Sequence, residues 1–281
     1  MGSPERPQQL SGDDGAGWNL ADIDLSAADL RHRGDTTLFY LLAAASFVET
    51  GSDLYTRNLL TYYRDDAAIA DWLTRYWESE ELQHGAALRA YVERLWPEFD
   101  WEQAYQRFFA EYSLSASPDA FEATPYLELA ARCMIETGTA TTYRMLHDYA
   151  QEPVLRRILG HIRDDEVRHY KHFLSFVRLA QQRTGRRSFA VARAIARRVR
   201  ESRADDTWIA FRHAYEVHNA GLVCSRSEYE RWYREVKKIM RDNYPFRMSA
   251  EMLVAPLSLP LPLRRLARRA AEFGVRRALL A

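Results

Sequence analysis

Apolar positions along this chain of 281 residues recur at spacings of three and four, and strict apolar/polar alternation is almost absent. That period belongs to amphipathic helices, and most Pro and Gly fall between the periodic segments. The pattern predicts a first long helix over about 36–63 and a second over about 67–95, ended by Pro97. A connection over about 98–124 carries a short helix around Trp101–Tyr112. A third long helix covers about 125–149, with Thr124 as N-cap and Pro125 in the first turn, and a fourth covers about 153–183, opened by Pro153. Helices near 188–202, 205–220 and 227–243 follow, the last with Ser225 and Glu228 at capping-box spacing. The stretch LSLPLPLRRLARRAAEFGVRRALL ends in a basic amphipathic helix.

Two helical hairpins joined by one long connection make the ferritin-like variant of the four-helix bundle. The expected fold is therefore all-α: such a bundle, a long crossover between its second and third helices, and additional C-terminal helices. Residues 1–30 read as a flexible tail, 31–185 as the bundle and 186–281 as a helical extension packed on it.

The hairpins repeat one another. FVETGSDLYTRNL in the first helix aligns with MIETGTATTYRML in the third, pairing Glu49 with Glu136, Gly51 with Gly138 and Arg57 with Arg144. SEELQHG in the second helix aligns with RDDEVRHY in the fourth, pairing Glu81 with Glu166 and His84 with His169. Glu49 and Glu81 lie equally far on either side of the first hairpin turn, about 24 Å from it at 1.5 Å per residue, and Glu136 and Glu166 are level in the same way. Glu and His three residues apart share a helix face. Six side chains can thus meet at one height: Glu49, Glu81, His84, Glu136, Glu166 and His169. One Glu from each of two helices plus Glu-x-x-His from each of the others is the ligand pattern of di-iron and di-manganese carboxylate bundles. Oxygen-rich donors with two imidazoles and no thiolate suit iron or manganese rather than zinc or copper. A ligating histidine commonly gives its other ring N–H to a carboxylate. Asp165 is expected to serve His84 in this way, and Glu80 to serve His169.

Composition adds limits. Cys133 and Cys224 give neither a disulfide framework nor a metal knuckle, so a reducing cytoplasm fits and electrons must come from a separate protein. The opening MGSPERPQQLSGDDGAG lacks the apolar core of a signal peptide, and no apolar run is long enough to span a membrane. Formal net charge is zero, but residues 183–203 hold eight Arg against one Glu, and 264–277 hold six against one. These runs read either as solvated helix faces or as a dock for an acidic partner. The terminal Arg-rich helix carries few bulky apolar anchors, which favours packing or partner contact over a membrane surface.

EELQHG and DEVRHY, with the two upstream glutamates, resemble the ferritin-like di-iron oxidases and oxygenases, and within them the soluble acyl-carrier-protein desaturases. The resemblance covers about 40–180. It implies two iron ions (a mixed Mn/Fe pair being an alternative), an external donor such as ferredoxin, and a fatty acyl substrate on acyl carrier protein. It also implies a role near the oxygen-reaction site for Thr139, three residues after Glu136; the plainer reading of Thr139 is helix packing. A cytoplasmic homodimer with no nucleic-acid partner is expected. Alternatives within the same ligand pattern are an iron-handling ferroxidase, an N-oxygenase, or a radical-generating subunit. The last needs a tyrosine beside the metals, and neither Tyr170 nor Tyr91 stands at a suitable offset.

Overall fold

A computed structural model describes residues 17–114, 121–185, 188–201 and 205–281. The described residues are helical almost throughout and include no strand. The first predicted helix is two: α1, Thr36–Thr50, and α2, Ser52–Tyr62. The second is α3, Ala67–Trp72, a widened i→i+5 turn at Leu73–Trp77, and α4, Glu78–Leu95. The connection carries α5, Trp101–Tyr112. The third and fourth are α6, Pro125–Tyr149, and α7, Pro153–Thr184. Then come α8, Ser188–Glu201; α9, Asp205–His218; α10, Arg226–Asn243; α11, Phe246–Val254; and α12, Leu261–Leu280.

The starts are fixed by side chains that accept from otherwise unpaired first-turn N–H groups. Asp35 caps α1, Asp66 caps α3 and Asp100 caps α5. Thr124 caps α6, followed by Pro125, and Glu152 caps α7 through Val154 N and Leu155 N. Ser225 and Glu228 form the reciprocal capping box of α10.

α1 packs on α4 and α6 on α7, and α4 meets α7, so the two hairpins close one bundle. Along each long element a polar layer separates two apolar clusters. Leu42, Leu88, Leu146 and Leu159 belong to one cluster, and Leu59, Leu73, Leu129 and Phe173 to the other. All eight are buried, and each contributes about 1.5–3 kcal/mol by leaving water. That apolar packing on both sides offsets the cost of the charged layer between.

α8 and α11 pack on α6, while α9 packs on α1 and α5. Gln181 of α7 donates to Pro256 O, and Tyr170 donates to Met252 O, which ties α11 and the turn after it to α7. α12 contacts α11 and α10. Among the described residues, no helix is long and apolar enough to cross a membrane.

Residues 1–16 of the expected tail lie outside the described residues. Residues 17–30 differ from that expectation. They form capped 3-10 turns at Leu20–Asp22 and Leu25–Ala27, bury Ile23 and Ala28, and receive bonds from Arg94 and Gln83 of α4. The buried residues are single, so the segment shows no sequence periodicity that would mark it as packed.

Candidate metal centre

Two backbone irregularities flank the polar layer. The break between α1 and α2 falls at Gly51, two residues after Glu49. Gly85 of α4 faces it: a Cβ there would stand 2.7 Å from Thr50 N and 2.9 Å from Thr50 Cα. Only glycine lets α4 approach α1 this closely beside Glu49 and His84. The widened turn at Leu73–Trp77 ends just before Glu81. In a regular α-helix, residues five apart point about 140° from each other. The wider turn reduces that divergence, and both Trp72 and Trp77 reach the ring of His169, at 6.2 and 6.3 Å.

Glu49 comes from α1, Glu81 and His84 from α4, Glu136 from α6, and Glu166 and His169 from α7; all are at most 7% exposed. Their donor atoms form two groups, Glu49–Glu81–His84–Glu166 and Glu81–Glu136–Glu166–His169, each with all donors within 4.8 Å of one another. Glu81 and Glu166 belong to both. His84 Nδ1 lies 3.3 Å from Glu166 Oε1 and 3.9 Å from Glu49 Oε2. His169 Nδ1 lies 3.0 Å from Glu81 Oε1 and 3.7 Å from Glu136 Oε2.

The far nitrogen of each imidazole is engaged. His84 Nε2 meets Asp165 Oδ2 at 3.0 Å, and His169 Nε2 meets Glu80 Oε2 at 2.7 Å. Both pairs cross from one hairpin to the other. Arg168 donates to Glu80 and to Asp165, at 2.7 and 2.8 Å, and so joins the two supports. Thr139 Oγ1 donates to Glu166 Oε2 at 2.6 Å, which brings this threonine against a carboxylate common to both groups.

Three contacts were missed in the sequence. Trp18 Nε1 donates to Asp165 at 2.8 Å, from a segment read as tail. Arg168 stands three residues after Asp165, on the same face, a signal that the spacing did carry. Tyr143 is fully enclosed and donates its hydroxyl to Glu49 Oε1. It lies seven residues after Glu136, two helical turns, so the same face of α6 was predictable.

The electrostatics show what the layer lacks. Burial and the charge of Glu166 raise the carboxyl of Glu49, and raise those of Glu136 and Glu81 well above the ordinary range. Burial opposes charge on His84 too, but Asp165 and Glu166 outweigh it and push its pKa up to about 10. Glu166 is held low despite burial, by the imidazole of His84 at 3.3 Å and the charge of His169. Without a cation the layer must therefore keep protons to offset its carboxylates. Four buried atoms at its centre have no hydrogen-bond partner among the described residues: His84 Nδ1, His169 Nδ1, Glu136 Oε2 and Glu166 Oε1. Unpaired buried donors and acceptors are costly. Here they converge, are all metal-ligand types, and sit in the two overlapping groups. The residues present fit a pair of oxygen-preferring cations.

A helical bundle with a buried carboxylate–imidazole layer suited to metal binding is the class that fold and site define. The chain belongs to the fatty acid desaturase family, whose sequence profile matches residues 54–203. The matched stretch takes in Glu81, His84, Glu136, Thr139, Glu166 and His169, and leaves Glu49 and Trp18 outside. No curated protein matches the chain.

Proposed function

We propose that this chain is an O2-dependent oxidoreductase that binds two iron ions in its bundle and removes hydrogen from an apolar acyl chain carried by acyl carrier protein. The observation that carries the reading is the pair of donor groups sharing Glu81 and Glu166 inside a fatty acid desaturase family chain. In this reading Glu49 and His84 would hold one ion and Glu136 and His169 the other, with Glu81 and Glu166 available to both. The same donors accept a mixed Mn/Fe pair. When bound, the ions would relay electrons from an external donor to O2 and supply the oxidising power needed to break an unactivated C–H bond.

The protein's own residues then have defined tasks. Asp165 and Glu80 keep a proton on each Nε2 and so leave each Nδ1 free for metal. Thr139 holds a hydroxyl proton at Glu166 Oε2, on a carboxylate common to both donor groups. The two apolar clusters keep water from the layer. For desaturation the balance is simple: the acyl chain gives up two hydrogens, and O2 takes them with two electrons and two protons to leave two waters. The electrons come from an external ferredoxin-type donor. The bundle, 31–185, is the catalytic unit, 186–281 supports it, and a cytoplasmic homodimer is the expected assembly.

Metal analysis of the purified protein tests the site, and product analysis tests the reaction. Two irons per chain, with O2 consumption that quickens on adding one acyl-carrier species and an alkene in its product, are expected. Ferric mineral that accumulates regardless of acyl chain would make the protein a ferroxidase instead. An alcohol in place of the alkene would make it a hydroxylase. Absence of metal binding would refute the ligand assignment.

Tyr143, hydrogen-bonded to Glu49, gives one observation in favour of the radical-generating alternative. A stable tyrosyl signal in electron paramagnetic resonance after O2 exposure, lost in Tyr143→Phe, would establish that reading.

A further inference from the structure

The last helix has two unlike faces. Arg268, Ala271, Glu272, Val275 and Leu279 of α12 are half-buried and look toward α11 and α10. Arg268 pairs with Glu251 at 2.9 Å, and Arg276 lies over the ring of Phe246 at 4.1 Å. On the opposite face Leu263, Leu266 and Phe273 are 54%, 66% and 69% exposed. Ala270 lies exposed between them, and Gly274 extends the stripe past Phe273. At about 100° per residue these positions fall in one stripe about 100° wide and about 15 Å long. Isolated apolar side chains on a surface need no account, but bulky ones aligned on one helix do. In the sequence the helix offered too few anchors for a membrane surface; its fold turns Leu263, Leu266 and Phe273 outward together.

The charges around the stripe select an occupant. Arg269 borders it and Arg277 lies within it, and neither has an ion pair among the described residues. The helix's one acid, Glu272, is on the packed side. A second copy of this face would set arginine against arginine. Residues 1–16 carry acids but only Met1 and Leu10 as sizeable aliphatic groups, a poor match for the stripe. An acidic protein would meet the charge, yet α12 presents a convex ridge whose outward polar side chains are almost all arginine. A bilayer interface of anionic lipid meets both features. The apolar side chains enter at the acyl boundary, and the guanidinium groups take phosphate oxygens, which suit their planar fork.

We propose that α12 is an interfacial helix that lays this protein on an anionic lipid surface. It lies on the bilayer and does not cross it, since its inner face is committed to α11. It also lies beyond the stretch that matches the fatty acid desaturase family, so the inference is independent of the reaction.

The test is sedimentation of the full chain with vesicles of phosphatidylcholine alone or mixed with phosphatidylglycerol. Binding to the mixed vesicles, weakened by salt and largely absent with phosphatidylcholine alone, is expected. Arg269→Gln/Arg277→Gln should lower binding roughly 25-fold, at about fivefold for each cation near the surface. Leu266→Ser/Phe273→Ser should abolish it, with the melting temperature unchanged because both side chains are already in water. No sedimentation with anionic vesicles at low salt would overturn the proposal, as would binding that survives the Leu266→Ser/Phe273→Ser change. A lipid-free dimer in sedimentation velocity that the same change dissociates would also overturn it, by giving the stripe to a second copy.

Discussion

His84 on α4 is tied through Nε2 to Asp165 on α7, 3.0 Å away across the bundle. Burial alone would raise the Asp165 carboxyl, yet His84, Trp18 and Arg168 hold it down at about 2. As a carboxylate it can only accept, so Nε2 keeps its proton and Nδ1 is the nitrogen left for a metal. Asp165→Asn puts an amide where two N–H groups and a guanidinium now converge. Metal affinity should drop by about 10–100-fold, the usual effect of losing such a support. Competition of the purified protein against a coloured chelator reads this directly. Unaltered affinity would mean that the imidazole is oriented by packing alone.

Tyr143 and Glu49 make a different prediction, because Glu49 belongs to one donor group and not the other. Tyr143→Phe keeps the ring in its buried place and removes one donor from a carboxylate that has little access to water. An unsatisfied buried acceptor costs about 1–3 kcal/mol. The loss should fall on the Glu49–His84 half, so a metal titration that is uniform in the parent becomes biphasic, with one ion on the order of tenfold weaker. Equal weakening of both ions would show that the hydroxyl supports the bundle rather than the ligand.

The repeat pairs Gly51 with Gly138, but the glycine that the fold requires is Gly85. A Cβ on Gly85 meets the backbone of Thr50 at 2.7–2.9 Å, and the backbone of α1 cannot swing away as a side chain could. Gly85→Ala should destabilise by about 1–3 kcal/mol, the range for overpacking, and should spread α1 from α4 where Glu49 faces His84. A Cβ on Gly138 meets nothing within 4 Å, and this glycine sits inside α6. Gly138→Ala should therefore stabilise by about 0.5–1 kcal/mol, the helix-interior preference for alanine over glycine. Paired urea titrations decide it, and the same sign of change in both variants would contradict the account.

Much of this was written in the sequence at the level of period and spacing. The long helices follow from apolar recurrence, and the six-residue layer follows from two Glu-x-x-His segments with level glutamates. What the sequence left open is set by contacts between distant segments. The first helix reads as continuous over 36–63 because its apolar period runs through Gly51; its break there lies against Phe109 of α5 and beside the close approach of Gly85. Trp18 is 147 residues from Asp165, and a lone tryptophan after a polar segment has no period to betray its destination. α11 stayed hidden because SAEMLVAP is short and ends in proline, so its pattern merges with the apolar run before α12.

The layer's protons give the final prediction. Glu49, Glu81 and Glu136 bind a proton more tightly in the folded chain than in the unfolded one. In the metal-free protein each therefore favours folding most below the ordinary carboxylate range, and that contribution fades as the pH climbs through the raised value. His84 has the same sign, its contribution fading toward about 10. Glu166 has the opposite sign, since its lowered value favours folding above the ordinary range and is lost on acidification. The lowered carboxyls, Glu166, Asp165 and Glu80, exert their effect below the ordinary carboxylate range, so above it only the raised groups act and this layer makes the metal-free chain less stable as the pH is raised. Cations reverse the trend by taking the place of the protons, and each proton released steepens metal affinity by roughly tenfold per pH unit. The rise in melting temperature on adding Mn(II), measured against a chelated control between about pH 6 and 8, should grow with pH. A rise that stays constant across that range would mean the carboxylates are already ionised in the metal-free fold, and that something other than bound protons compensates their charge.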